Sequence, residues 1–364
     1  MAIDPRPAVV RRTRAPKKKA LLIGITYTDS KTQKVLNLPH NDVKQLRQFL
    51  TAFYGYSDQD IAILLDKPGE MQPTASNIRQ QAAKLVAGAA PGDHFFFFYA
   101  GHSVQVPELS TEEHTELDGL DEVMVPSDGL TTNDKLTRKS CLVDNELKRL
   151  LVNPLPEGCT MMAVLDTCHS ASLLDLDHDQ CNGRWSCGMG GQMLSFHNAH
   201  QHRGSPPLQS TKAGVRPSVS RKLEFMQDSV FAGHRTTSIP QHRACARLKH
   251  TGANMPGNIA IRRCESPLTD PSHMALVTCL SACKDDQITC ENVNDKTGGS
   301  FTERLLNILR RDPHPRLEDL MKKIYVSIHG MLLDAQTIQQ LNNCQDPQMS
   351  SETKMDMKAY LQTL

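Results

Sequence analysis

Apolar residues along this chain fall into two rhythms, and the two alternate. Ala20–Tyr27 (ALLIGITY), Ile61–Leu65 (IAILL), His94–His102 (HFFFFYAGH) and Thr160–His169 (TMMAVLDTCH) are short, nearly continuous apolar runs rich in β-formers. Runs of this kind predict strands covered on both faces, as in a parallel sheet. Between them the period changes. Val43, Leu46, Phe49 and Leu50 recur at helical spacing within 40–53. Ile78, Ala82, Leu85 and Val86 do so after a helix start at Pro73-Thr74 and before a stop at Gly88. Residues 144–151 read as a further helix, and 123–126 (VMVP) as a short strand. The alternation predicts an α/β fold: a mainly parallel central sheet with helices on both faces.

The texture changes after Cys187. Residues 188–272 are rich in Gly, Ser, Pro, His and Arg with little apolar periodicity, and 201–266 carries eleven Lys/Arg against three Asp/Glu. This stretch reads as a long basic insert. Order is expected again at 274–283 (MALVTCLSAC), followed by helices over 301–309 and 317–333. The expected organisation is a disordered basic arm at 1–18, a first folded region at 19–187, a flexible basic insert at 188–272, and a region at 273–364 that completes the same domain.

Net charge is +1, and no window approaches the roughly 18 apolar residues of a membrane span. The eleven cysteines show no framework spacing and no secretion signal precedes them, so free thiols in a reducing compartment are expected, cytoplasmic with a nuclear option from the basic arm. Cys181, Cys187, His197, His200 and His202 do not follow a standard zinc spacing. The insert lacks interleaved aromatics and any nucleic-acid motif, so nucleic acid is not an expected partner.

In a parallel sheet, ligand sites lie beyond the carboxyl ends of the strands. Two runs end there in reactive side chains: one enters Gly101-His102, the other Asp166-Thr167-Cys168-His169. A cysteine attacks as its thiolate and needs a partner for the proton, which a strand-end His beside a strand-end Cys supplies. Taken alone, this pair is equally well read as a core cysteine near a histidine.

The surrounding motifs change that balance. Tyr99-Ala100-Gly101-His102, Asp118-Gly119-Leu120-Asp121-Glu122, Asp166-Thr167-Cys168-His169-Ser170-Ala171, Asn41-Asp42 and Ser281-Ala282-Cys283-Lys284-Asp285-Asp286-Gln287 resemble, in order and spacing, the metacaspases, a family of caspase-like peptidases. The resemblance spans roughly 19–180 and 273–364. It implies a caspase-like three-layer sandwich and a dyad of Cys168 as nucleophile and His102 as acid/base partner. It also implies an oxyanion hole from the backbone N–H groups of Cys168 and Ser103. A pocket around Asp42, Asp166 and Ala100 would favour Arg or Lys at P1 of a protein substrate. Calcium would be held by Asp121, Asp144, Asn145 and Asp175, more weakly than by four carboxylates. The family resemblance further implies a monomer, and a basic insert in a protease of this specificity implies autocleavage within about 184–263, with a second candidate region at Arg11–Lys19. Where relatives usually have Ser-Gly-His-Gly, this chain has Ala100-Gly101-His102-Ser103. That departure favours the alternative of a catalytically weak or inactive caspase-like binding or proteostasis module. The simpler reading of Asp42 is a helix-start cap, and that of the calcium positions is solvated acids.

Overall fold

The computed structural model describes residues 14–30, 35–107, 120–129, 139–178, 274–285, 289, 300–329 and 346–361. Six strands form the main sheet: β1 (Lys18–Gly24), β2 (Ile61–Leu65), β3 (His94–Ala100), β7 (Thr160–Asp166), β8 (Leu276–Ser281) and β9 (Gln348–Ser351). Their order is β2-β1-β3-β7-β8-β9, with every pair parallel except β8–β9. A smaller antiparallel sheet holds β4 (Ser103–Pro107), β5 (Leu120–Met124) and β6 (Leu142–Val143) in that order. The apolar runs correspond to the central strands. Three strands were not anticipated: β4, which leaves His102 immediately, the two-residue β6, and the antiparallel edge strand β9.

Strand alternation builds two cores. Phe95, Phe97 and Tyr99 of β3 face α2 (Ala75–Val86) and α3 (Asp144–Leu151). Phe96, Phe98 and Ala100 face α1 (Pro39–Tyr54), α4 (Phe301–Leu309) and α5 (Leu317–His329). Each buried Phe contributes about 1.5–3 kcal/mol of transfer free energy, which is why the sheet is covered on both sides. The helix ends follow local chemistry. Pro39 opens α1 and Gly55 closes it at φ +69°. Thr74 caps α2, its hydroxyl accepting the Asn77 N–H at 3.2 Å. The helix expected over 317–333 runs to His329; positions 330–333 lie outside the described residues.

The expected arm at 1–18 is partly structured. β1 begins at Lys18, and Arg14 reaches back to the buried Asp93, which also accepts the Lys17 N–H at 2.9 Å. The insert lies outside the described residues. β8, which follows it in sequence, pairs directly with β7 from Thr160↔Leu276 to Leu165↔Ser281, so the chain on either side of the insert shares one sheet. Among the described residues, no helix is long and apolar enough to cross a membrane.

Candidate active site

The sheet register sets the site. Gly24, Ala100 and Asp166 occupy one rung at the carboxyl ends of β1, β3 and β7. His102 and Cys168 each lie two residues beyond that rung, on adjacent strands. Hydroxyls stitch the two strand ends together. Thr167 Oγ1 donates to Gly101 O at 2.7 Å, and Ser103 Oγ lies 2.7 Å from Thr167 Oγ1 and donates to Cys168 O. The sequence singled out 102 and 168; it gave no sign of the Ser103–Thr167 pair, whose members are 64 residues apart.

Ser103 stands where the family it resembles usually has Gly, a residue that takes up a positive φ without the cost a serine would carry. The described non-glycine residues with positive φ are Tyr27, His169 and Asp175, and Ser103 is not among them. It is the first residue of β4, opposite Met124. Val125 N–H donates to His102 O at 3.1 Å, which makes Ser103 and Met124 a non-hydrogen-bonded pair and turns the Ser103 N–H away from β5. An extended Ser therefore fits this position without the penalty expected of a left-handed one.

Cys168 is distinguished by access. Among the described cysteines, Cys141, Cys159, Cys279 and Cys283 are buried and Cys168 is half-buried. Burial pushes the Cys159 thiol up to about 11, and those of Cys279 and Cys283 up to about 12, so all three stay protonated at neutral pH. Cys168 Sγ accepts the Thr289 N–H at 3.3 Å and lies 3.5 Å from Thr289 Oγ1. The turn after Cys168 is tied to the chain after β8. Ser281 Oγ donates to Ser170 O at 2.8 Å, Ser172 N–H donates to Asp285 Oδ1 at 2.9 Å, and the His169 ring contacts Asp285 O.

His102 is half-buried, and its backbone is clamped. Its N–H donates to Tyr27 Oη at 2.9 Å, and its carbonyl accepts Tyr99 Oη at 2.5 Å. Its ring lies 4.6 Å from that of Tyr27. A Cβ on Gly101 would come within 2.6 Å of Tyr99 Oη and 2.9 Å of Tyr27 Oη, so this position has room only for glycine.

Asp42 is not a helix-start cap. The N-cap of α1 is Leu38, and Asp42 sits 2% exposed in the first turn. A Cβ on Gly24 would lie 2.7 Å from Pro39 O, so the missing side chain lets the start of α1 close over the end of β1. Asp42 and Asp166 meet at the start of α4. Ser300 Oγ donates to Asp42 Oδ1 at 2.7 Å, and Thr302 N–H and Oγ1 donate to Asp166 Oδ2 at 2.9 and 2.7 Å. Ser300 also caps α4 by accepting the Glu303 N–H at 3.1 Å. Ala100 lies between Gly24 and Asp166 on the rung, facing the same core. The three pocket positions therefore share one side of the sheet. Ser300 and Thr302 were missed, although the Ser-x-x-Glu spacing at 300–303 is a readable capping signal.

Asp121, Asp144 and Asp175 are each buried, and Asn145 follows Asp144 at the start of α3. Hard oxygen donors of this kind suit calcium, and three buried acids favour a cation close by. Asp144 accepts the Glu122 N–H at 3.1 Å and the Asn145 N–H at 2.5 Å. Lys148 Nζ donates to Asp175 O at 2.6 Å and to Asp177 Oδ1 at 3.2 Å, and pairs with Glu352 at 3.4 Å. Among the described residues, no three His, Cys, Asp or Glu side chains are gathered as a metal cage. The donors are of the type calcium takes, but the structure does not bring Asp121, Asp144 and Asp175 together as a cage.

Comparison with known proteins finds the following similarities. The family described as metacaspase, peptidase C14 domain, matches residues 18–177. Metacaspase-1 of Cryptococcus neoformans var. neoformans serotype D is 39% identical over 165 residues, covering 44% of this chain and 33% of that protein. Metacaspase-1 of Emericella nidulans is 29% identical over 344 residues, covering 94% of this chain and 72% of that one. Among solved structures, caspase-1 from Spodoptera frugiperda aligns over 92% of this chain and 86% of its own, at 9% identity and a TM-score of 0.42. The first of these alignments spans a third of the relative's length.

Proposed function

Because residues 18–177 belong to the metacaspase peptidase C14 family, we propose that this chain is a calcium-dependent cysteine endopeptidase cleaving after Arg or Lys. The observation that supports the reading is the rung Ala100↔Asp166: His102 and Cys168 each follow it by two residues, after adjacent strands, and Asp166 is itself on the rung. The Cys168 thiolate attacks the scissile carbonyl carbon, forming the S–C bond as the carbonyl π electrons move to oxygen. The N–H groups of Cys168 and Ser103 stabilise that oxyanion. On collapse the C–N bond breaks and His102 delivers to the leaving amine the proton it took from the Cys168 thiol. His102 then takes a proton from water as the water oxygen bonds to the acyl carbon, and the S–C bond breaks to release the carboxylic acid and regenerate the Cys168 thiolate.

Asp42 and Asp166 supply the negative charge for a P1 guanidinium or ammonium, and a planar guanidinium can bind a carboxylate through two hydrogen bonds. Their bonds to Ser300 and Thr302 hold both carboxylates in place. Asp121, Asp144, Asn145 and Asp175 would hold calcium, which when bound would neutralise the charge of these buried acids. Asn145 in place of a fourth carboxylate weakens that binding. Autocleavage in the basic insert follows from the same specificity. At the N-terminus, Arg14 is engaged with Asp93 and Lys18–Lys19 lie in β1, whereas Arg11 and Arg12 lie outside the described residues.

The test is hydrolysis of an Arg-P1 fluorogenic peptide with and without millimolar calcium, for wild type and Cys168→Ala, with a gel and N-terminal sequencing time course. Calcium-dependent turnover abolished by the substitution supports the proposal. A fully active chain that stays intact would remove autocleavage as a requirement. A second reading has one observation in its favour: Asp42 and Asp166 both anchor α4, a structural task that a non-catalytic caspase-like module would also need. Absence of hydrolysis at every calcium level would establish that reading instead.

A further inference from the structure

We infer that Tyr27 is a positioning residue for His102: its ring seats the imidazole, its hydroxyl fixes the backbone, and Asp66 holds Tyr27 in the conformation this requires. The inference rests on the reading of His102 as the acid/base partner. Tyr27 lies three residues beyond β1, the neighbour of β3, and Ile25 N–H donates to Ala100 O at 2.9 Å, so the chain after β1 runs beside the chain after β3. There Tyr27 adopts φ +57°, a left-handed conformation that a bulky residue holds only when its surroundings impose it.

Asp66 imposes it. This residue directly follows β2, on the other side of β1, and accepts the consecutive N–H groups of Thr26 at 2.8 Å and Tyr27 at 2.6 Å. His40 Nε2 lies 2.6 Å from the same carboxylate. Two successive N–H groups aimed at one carboxylate turn the chain and send the Tyr27 side chain back across the end of β1 toward β3. Its ring stops 4.6 Å from the His102 ring at an interplanar angle of 31°.

The hydroxyl is fully used. It donates to Val125 O at 2.5 Å and accepts the His102 N–H at 2.9 Å. Burial raises the pKa of the Tyr27 phenol above its ordinary value, so the donor proton is retained across the working pH range. Tyr27 is thus a rigid wall on one side of a catalytic imidazole, and a π face there also favours the protonated ring. A displacement of about 1 Å in such a group costs on the order of 100-fold in rate, so the wall has catalytic weight without touching substrate.

The experiment uses the full chain as wild type, Tyr27→Phe, Tyr27→Leu and His102→Ala. Steady-state kinetics on an Arg-P1 peptide is paired with the pH dependence of Cys168 alkylation by iodoacetamide, read by mass spectrometry of the Cys168 peptide. Tyr27→Phe keeps the ring and loses about 3- to 10-fold in kcat at unchanged KM, the scale of one hydrogen bond. Tyr27→Leu loses about 100-fold, and its alkylation midpoint moves away from that of wild type, toward that of His102→Ala. Wild-type kcat and an unmoved midpoint in Tyr27→Leu overturn the inference. If His102→Ala itself leaves hydrolysis and alkylation unchanged, the acid/base reading fails instead, and the two failures are told apart. Should the Tyr27 variants not fold, proton NMR of the wild type decides: the His102 ring protons, assigned by their loss in His102→Ala, are shifted upfield by the Tyr27 ring. Unshifted positions overturn the inference.

Discussion

Adding one methyl group at Gly101 is the sharpest test of how the candidate base is held. A Cβ there would lie 2.6 Å from Tyr99 Oη, 2.8 Å from Tyr99 Cζ and 2.9 Å from Tyr27 Oη. The closest of these is about 0.8 Å short of ordinary van der Waals contact. Tyr99 cannot retreat, because its ring is fully buried among the residues that pack on α2 and α3. The methyl must therefore displace a hydroxyl or the Gly101 backbone. Either motion strains the Tyr99 Oη–His102 O bond of 2.5 Å and the His102 N–Tyr27 Oη bond of 2.9 Å. Overpacking costs about 1–3 kcal/mol, and each weakened hydrogen bond about 1 kcal/mol more. The expected destabilisation of Gly101→Ala is about 3–5 kcal/mol, which for a domain of this size lowers Tm by roughly 6–20 °C. Turnover of an Arg-P1 peptide falls on the order of 100-fold, through displaced His102. Thermal melting by circular dichroism and steady-state kinetics measure the two effects. Adding Tyr99→Phe removes the closest clashing atom and recovers part of the stability. A Gly101→Ala chain that melts within 1 °C of wild type, with unchanged kcat/KM, would refute the clamp described around His102.

Two further outcomes concern charges. Lys148→Met leaves Glu352 and Asp177 without their cation. Breaking a buried pair costs about 3–5 kcal/mol, and the lower end applies because the Asp177 side chain is 29% exposed. Urea denaturation measures this; a loss under 1 kcal/mol refutes it, and Glu352→Leu in the same chain should restore part of the loss. At acid pH the relevant group is Asp93. Burial alone would raise its pKa, but the Arg14 guanidinium and the Lys17 and Ala90 N–H groups outweigh that and hold it below its ordinary 3.8. The resulting stability is present above the ordinary value and lost as pH falls through the lowered one. Arg14→Ala therefore moves acid unfolding to higher pH, and an unmoved midpoint in a circular-dichroism titration between pH 2 and 5 would rule this out.

The parts of this fold visible in the sequence are those whose physics is local. β1, β2, β3, β7 and β8 are buried on both faces, so each reads as a continuous apolar run without knowledge of its neighbours. The same holds for His102 and Cys168, because a strand end followed by a reactive residue is a one-dimensional pattern. β4 and β9 are short, mixed in polarity and defined by antiparallel partners, so nothing local announces them.

The sequence by itself determined which residues are candidates: a histidine and a cysteine at strand ends, two aspartates beside them, and a motif order that matches one peptidase family. Only the tertiary structure decided how they are held. Tyr27 reaches His102 across 75 residues, Ser300 reaches Asp42 across 258, and Thr289 reaches Cys168 across 121. It also removed the objection to Ser103, whose extended backbone needs no glycine. The physical reason is that a side chain's identity is written in the chain, whereas its restraint comes from hydrogen bonds and contacts made by residues distant in sequence. Those are set only when the sheet order brings β1, β3, β7 and β8 together.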